Sequence, residues 1–302
     1  MQRTTTLFYF LFAASILCAQ PGTLDPSFGT GGITGLNMPD VPHEFKATAV
    51  QADGRIVCVG YMVVNAQEDL LLARFLNDGT LDPSFGTGGI QTTNVLPSES
   101  FWSVAIQPDG KIVAAGITYT SANEQLVIAR YTANGTPDAT FATSGRQVFD
   151  LGNAQELLTA VVVQPDGKIV ATGYVLAAAN DVDLAVVRLN ANGSFDTGFS
   201  GDGWTTLSYG TDCAAWGLAL QADGRIVTAG YANPNGDYVG LIARFMPNGT
   251  PDLNFNATGA VLYAHNAGSS QDEFWDVVIQ PDQKLVAIGS TYEPEGDLLF
   301  TR

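Results

Sequence analysis

Between residues 101 and 151 the alternation of apolar and polar positions resolves into four short extended segments. Residues 101–107 are apolar and rich in β-formers, Pro108-Asp109-Gly110 makes a tight turn, and residues 111–117 return antiparallel. Residues 125–132 make a third segment. After a turn at Asn134-Gly135-Thr136-Pro137-Asp138, residues 146–151 make a fourth. No stretch of useful length carries the 3.6-residue period of an amphipathic helix. The first two segments, A and B, are the most continuously apolar, as expected of strands covered on both faces. The fourth, D, admits polar residues, as at Thr205, Thr206 and Ser208 in a later copy. The pattern predicts strand A innermost and strand D at the rim.

This unit recurs five times. The Asp of Gln-x-Asp-Gly-Lys/Arg stands at positions 53, 109, 166 and 223, and at 282 in the degenerate copy Gln280-Pro281-Asp282-Gln283-Lys284, giving steps of 56, 57, 57 and 59. A second Asp recurs at Asp25, Asp82, Asp138, Asp196 and Asp252, each followed three residues later by Phe28, Phe85, Phe141, Phe199 or Phe255. A third anchor is Arg74, Arg130, Arg188, Arg244 and Arg302. A near-constant period of this size means a propeller, a solenoid or an array. Residues 32–36 read as a D strand with no A, B or C before it, and the last repeat supplies A, B and C. Pairing them gives an all-β, five-bladed β-propeller of four-stranded antiparallel blades, closed by the N-terminal strand, with no exposed edge. The alternative is a fragment of a longer array, because the turn that follows every other Arg of the series is missing after Arg302. The repeated Asp is expected to accept backbone N–H groups in its turn, the repeated Arg to pair with a carboxylate, and the Phe to wedge under the turn.

The sequence Leu-Asp-Pro-Ser-Phe-Gly-Thr-Gly-Gly-Ile at residues 24–33 and 81–90, with Gln-Pro-Asp-Gly-Lys-Ile-Val at 107–113 and 164–170, resembles the delta-60 repeat family of secreted bacterial proteins. The resemblance covers residues 24–302. It implies a β-propeller of uncharacterised function and carries over no catalytic residue. Relatives often end in a secretion-system sorting domain, which this sequence does not contain.

Residues 1–20 read as a signal peptide: Arg3, an apolar run over 7–17 too short to span a bilayer, and a small-residue zone at Cys18-Ala19-Gln20. Cys18 also raises a lipoprotein signal, but Leu17 stands where a small residue is wanted. The expectation is an exported, monomeric propeller over residues 21–302, secreted or periplasmic and not membrane-spanning. Cys58 and Cys213 fall in non-adjacent repeats and are expected to be buried free thiols.

Charge changes the picture next. Only 14% of residues are charged, the net charge is −17, and 33 glycines agree with many turns. Such an acidic chain is a poor ligand for nucleic acid, whose phosphates demand Lys and Arg. Ten of the 13 basic residues occupy repeat slots, as do ten of the 30 acids, so the surplus lies elsewhere. Asp40, Glu44, Glu68, Asp69, Glu99, Glu124, Asp150, Glu156, Asp181, Asp183, Asp212, Asp237, Asp272, Glu273, Glu293, Glu295 and Asp297 all fall in or beside the D–A and B–C loops. These loops share one face. That face is either a solubilising surface or a site for a basic protein surface, a glycan or Ca²⁺, though no EF-hand-type loop exists.

Strand A aligns Lys46, Trp102, Thr159, Trp216 and Trp275 in one slot, holding three of four Trp, either as packing or as a stacking platform. In the next slot Ala47, Ser103, Ala160 and Gly217 are small, but the fifth member is Asp276. Trp102, Trp216, Trp275 and Asp276 are therefore the ligand-binding candidates. His43 and His265 have no metal-ligand spacing, and no nucleophile elbow, phosphate loop or cofactor motif is present. The reading is a non-catalytic binding or scaffold propeller. The alternative is a polysaccharide hydrolase or lyase using Asp276 with Glu273 or Glu99.

Overall fold

In the computed structural model, residues 22–120, 123–152, 155–178, 181–265, 271–291 and 297–301 are described. The expected signal peptide, Glu293, Glu295 and Arg302 lie outside them. The described residues form nineteen strands and no helix. They fall into five units, the first two joined into one eight-stranded sheet. The first unit holds β1 (His43–Val50), β2 (Ile56–Val64), β3 (Gln67–Phe75) and β4 (Ile90–Thr93). The second holds β5 (Ser98–Ile106), β6 (Ile112–Tyr119), β7 (Glu124–Tyr131) and β8 (Arg146–Phe149). The third holds β9 (Glu156–Val163), β10 (Ile169–Ala178), β11 (Asp181–Leu189) and β12 (Trp204–Leu207). In the fourth are β13 (Cys213–Leu220), β14 (Ile226–Ala232), β15 (Val239–Phe245) and β16 (Ala260–Tyr263), and in the fifth β17 (Asp272–Ile279), β18 (Leu285–Thr291) and β19 (Asp297–Thr301).

The first four units are antiparallel meanders in chain order, A-B-C-D, and the fifth supplies A-B-C among the described residues, as the turn chemistry requires. Strands A of successive units lie beside one another, from β1 through β5, β9 and β13 to β17. Single parallel bridges stitch neighbouring units: Glu68 to Ser98, Val182 to Asp212 and Tyr238 to Gln271. Apolar cores form between units. Val57, Leu70, Leu72 and Phe85 of the first face Phe101, Ile112, Val127 and Tyr131 of the second, and the pattern repeats between the later units. Strand A is innermost and D outermost. The deepest strands, however, are B and C rather than A and B, because part of A faces the inner edge of the array.

The expected N-terminal D strand over residues 32–36 does not form, and no closed sheet is present among the described residues. Instead the Asp25 turn docks on the first unit: Gly29 N–H donates to Asp78 C=O at 2.6 Å and Thr34 Oγ1 to Gly79 C=O at 2.6 Å. The internal turns do the same, with Gly86 N–H donating to Asn134 C=O and Ala142 N–H to Asn192 C=O. The apolar face of the first unit keeps Val50 65% exposed, and that of the fifth keeps Val278 and Ile288 54% and 48% exposed.

Candidate functional site

The slot that collects the tryptophans is a β-bulge. In every unit the pairing of strand A with strand B skips one residue: Lys46, Trp102, Thr159, Trp216 and Trp275 each have no partner across the ladder. A bulge leaves its extra residue unpaired and re-aims the side chain. Its cause lies on strand B, where Gly60, Gly116, Gly173, Gly230 and Gly289 face the bulge. A Cβ on Gly230 would lie 1.9 Å from the Ala214 carbonyl oxygen, and on Gly116 2.1 Å from that of Ser100. The sequence carried the signal, a Gly recurring at the repeat's own steps.

The bulge residues divide by unit. Lys46 Nζ sits 4.9 Å from the Trp102 ring centre and is held by Glu44 at 2.8 Å. Trp216 packs between Tyr174 and Tyr231, each 6.2 Å away. Trp275 stands 47% exposed. Asp276 is exposed beside it, its Oδ1 accepting Val277 N–H at 2.8 Å. Gly217, in the same slot one unit earlier, is small because a Cβ there would strike the Asp276 backbone at 2.7 Å. No unit lies beyond Asp276 among the described residues, so the crowding its neighbours imply does not apply.

The acidic loop face needs a correction. Glu99, Glu156 and Asp272 open strand A in their units and are fully buried, not solvated. They hold the loop that enters the strand. Glu99 Oε1 accepts Val95 and Leu96 N–H, Glu156 Oε1 accepts Leu151 N–H at 2.9 Å, and Asp272 Oδ2 accepts His265 N–H at 2.6 Å. Burial pushes the Glu99 carboxyl up to about 7 despite these donors. Glu99 is thus bound to its own loop in the second unit, whereas Glu273 and Asp276 share β17 in the fifth.

On the opposite loop face the repeated charges form latches. Asp82, Asp138, Asp196 and Asp252 each take Arg74, Arg130, Arg188 or Arg244 at 2.7–2.9 Å and a second base, Arg55, Lys111, Lys168 or Arg225. Each Arg also lies over the Phe of its turn, 4.5–4.7 Å from the ring centre. Arg74, Arg130 and Arg188 reach across to a carbonyl of the next unit, at Ala133, Ala191 and Pro247. Burial alone would raise the Asp138 carboxyl, but hydrogen bonds from Thr140 and Lys111 and the Arg130 charge hold it well below the usual carboxylate range. Asp25 bonds only within its turn, to Ser27 N–H at 2.9 Å and Ser27 Oγ at 2.6 Å.

Sequence reasoning missed a cavity of about 280 Å³ on the D–A and B–C loop face, lined by Tyr231, Tyr238, Gln271, Asp272 and Glu273. The two tyrosine rings meet at 67°, 5.3 Å apart, and Tyr238 Oη donates to Asp212 Oδ2 at 2.9 Å. Backbone ties the walls together, since Asp272 N–H donates to Tyr238 C=O at 3.0 Å. Cys58 and Cys213 are buried and free, their thiols pushed up to about 11 and about 12 by burial.

Residues 51–85, 107–141, 164–199 and 221–255 match a family model described as a domain of unknown function (DUF5122) β-propeller. The four matched stretches are similar to repeats of the propeller type, in a chain whose described residues are all-β. Each match runs from the Gln of the A–B turn to the Phe of the latch and leaves out the bulge. Curated proteins gave no match. Among solved structures the chain is similar to a protein of unknown function from Dyadobacter fermentans, at 12% identity and TM-score 0.47 over 84% of this chain and 80% of that one. A glucose dehydrogenase is similar at 11% identity and TM-score 0.46 over 84% and 81%. An endo-1,4-beta-xylanase from Bacteroides thetaiotaomicron is similar at 13% identity and TM-score 0.41 over 87% and 94%. Likenesses this distant carry no argument about activity.

Proposed function

We propose that the chain is a non-catalytic, exported binding propeller of the delta-60 type that presents its ligand site on the D–A and B–C loop face. The observation that carries this reading is the run of Tyr174, Trp216, Tyr231 and Tyr238 on that face, ending at a cavity with carboxylate walls. Of the carboxylates named for a hydrolase, one is otherwise engaged and Asp276 and Glu273 stay together on β17. Glu99 holds a loop, and the repeated Asp residues neutralise latches. A screen of the mature chain against glycans and basic peptides, with reducing-end release measured in parallel, tests this. Saturable binding without release is expected, weakened by about 1–3 kcal/mol on Trp216→Ala, as for a contact residue at an interface. Turnover that disappears in Asp276→Asn would overturn it in favour of the carboxylate enzyme.

The same reading has five blades closing into a ring. Four latches each join a turn Asp to a strand-B base, while Asp25 has no basic partner among the described residues and Lys284, 60% exposed, pairs with Asp282 in its own turn. Lys46 is the one base in the bulge slot and Asp276 the one acid in the next. They belong to the first and fifth units, whose free faces would meet at the seam.

A further inference from the structure

We propose that the cavity between the fourth and fifth units is a receptor for a protonated alkylamine, the side-chain ammonium of a lysine on a basic partner protein. The inference rests on the binding reading above and narrows its ligand class. Asp272 is wholly buried at the wall of the cavity, its Oδ2 engaged by His265 N–H and its buried Oδ1 left with no hydrogen-bond partner. A buried carboxylate oxygen left unsatisfied is costly, and an ammonium N–H is the donor that relieves it most, by a charge-assisted bond. Glu273 adds a second carboxylate, and among the described residues no Lys or Arg lines the cavity. Arg225, Arg244 and Lys284, the bases of these two units among the described residues, stand at the latch turns on the other loop face.

The aromatic walls favour the same ligand. Rings set at 67° offer a corner to a compact cation rather than one flat platform to a sugar, and tyrosine faces attract an ammonium through the ring quadrupole. Trp216 buttresses Tyr231 at 6.2 Å, and Asp212 fixes the Tyr238 ring through its hydroxyl. The volume of about 280 Å³ lies near the lower end of ligand pockets. That size suits an alkylammonium stem.

The test uses the mature chain with three probes: Nα-acetyl-lysine methylamide, its Nε-trimethyl derivative and Nα-acetyl-norleucine methylamide. Calorimetry and the fluorescence of Trp216 read binding. The lysine probe should saturate a single site. The trimethyl probe, charged but without an N–H, should bind more weakly, and the norleucine probe at least about tenfold more weakly than lysine. Asp272→Asn removes a loop cap and can fail to fold, so Tyr238→Leu and Glu273→Gln serve instead. Each should weaken the lysine probe, Tyr238→Leu by about tenfold, with a cooperative thermal melt showing that each variant is folded. Equal binding of the norleucine probe, no saturation by the lysine probe, or indifference to Tyr238→Leu overturns the inference. A glycan that saturates the face when lysine does not would leave the binding reading standing. Failure of glycans, basic peptides and lysine alike would remove both.

Discussion

A carboxyl that is completely enclosed and still accepts two backbone N–H bonds is subject to opposing forces, and at Glu99 burial wins, carrying it to about 7 from an ordinary value near 4.5. The folded chain then holds a proton between these values that the unfolded chain has released, so stability falls as pH rises from about 4.5 to about 7. The ceiling on that effect is about 3 kcal/mol, at roughly 1.4 kcal/mol per pH unit. Urea denaturation across that window should show this slope in the native chain and lose it in Glu99→Gln, whose amide oxygen still accepts the loop N–H groups. An identical slope in both would assign it to another group. Nothing in the chain's pattern marked Glu99, Glu156 or Asp272 as enclosed. All three sit one step inside a loop rich in acids, and only the fold separates the acid that caps a strand entry from those that face water.

At the scale of the element, strand identity and order were readable to within a few residues. Segments expected at 101–107, 111–117, 125–132 and 146–151 are Ser98–Ile106, Ile112–Tyr119, Glu124–Tyr131 and Arg146–Phe149. Turn chemistry and β-formers set those limits locally. The bulge was not read, because it is a relation between two strands: Gly116 makes sense only once Ser100 is seen opposite. The latch was half legible, its charges evident from the repeat and its reach into the next unit hidden. Arg130 bonds Asp138 at 2.8 Å, covers Phe141 and donates to Ala191 C=O, with both charged groups nearly enclosed. Removing one partner of such a pair strands the other, so Arg130→Met should cost about 3–5 kcal/mol. Arg130→Lys should recover only part of this, since the planar fork is lost. Thermal melts of the two variants check the order, and a Lys variant as stable as the native chain would refute the role of the fork.

For the whole molecule, closure is the proposal with the widest consequence. If the Asp25 turn completes the fifth latch, Asp25→Cys with Lys284→Cys should oxidise to one intrachain disulfide in dilute protein, raising the melting temperature of a monomer. Cross-linked dimers alone, or no cross-link, would place the two free faces apart. The interior supports separate variation of scaffold and surface. Because the bulge residue answers to no partner across the ladder, it is released from the pairing rules that bind every other position of its strand. Lys, Thr and Trp occupy it in a single chain without any change in the blade around them. Five such positions line the inner edge, and they form a short alphabet that can be rewritten one letter at a time. A substitution in this slot therefore leaves the latches and the strand-B glycines untouched, and the position can change its chemistry without rewriting the ladder.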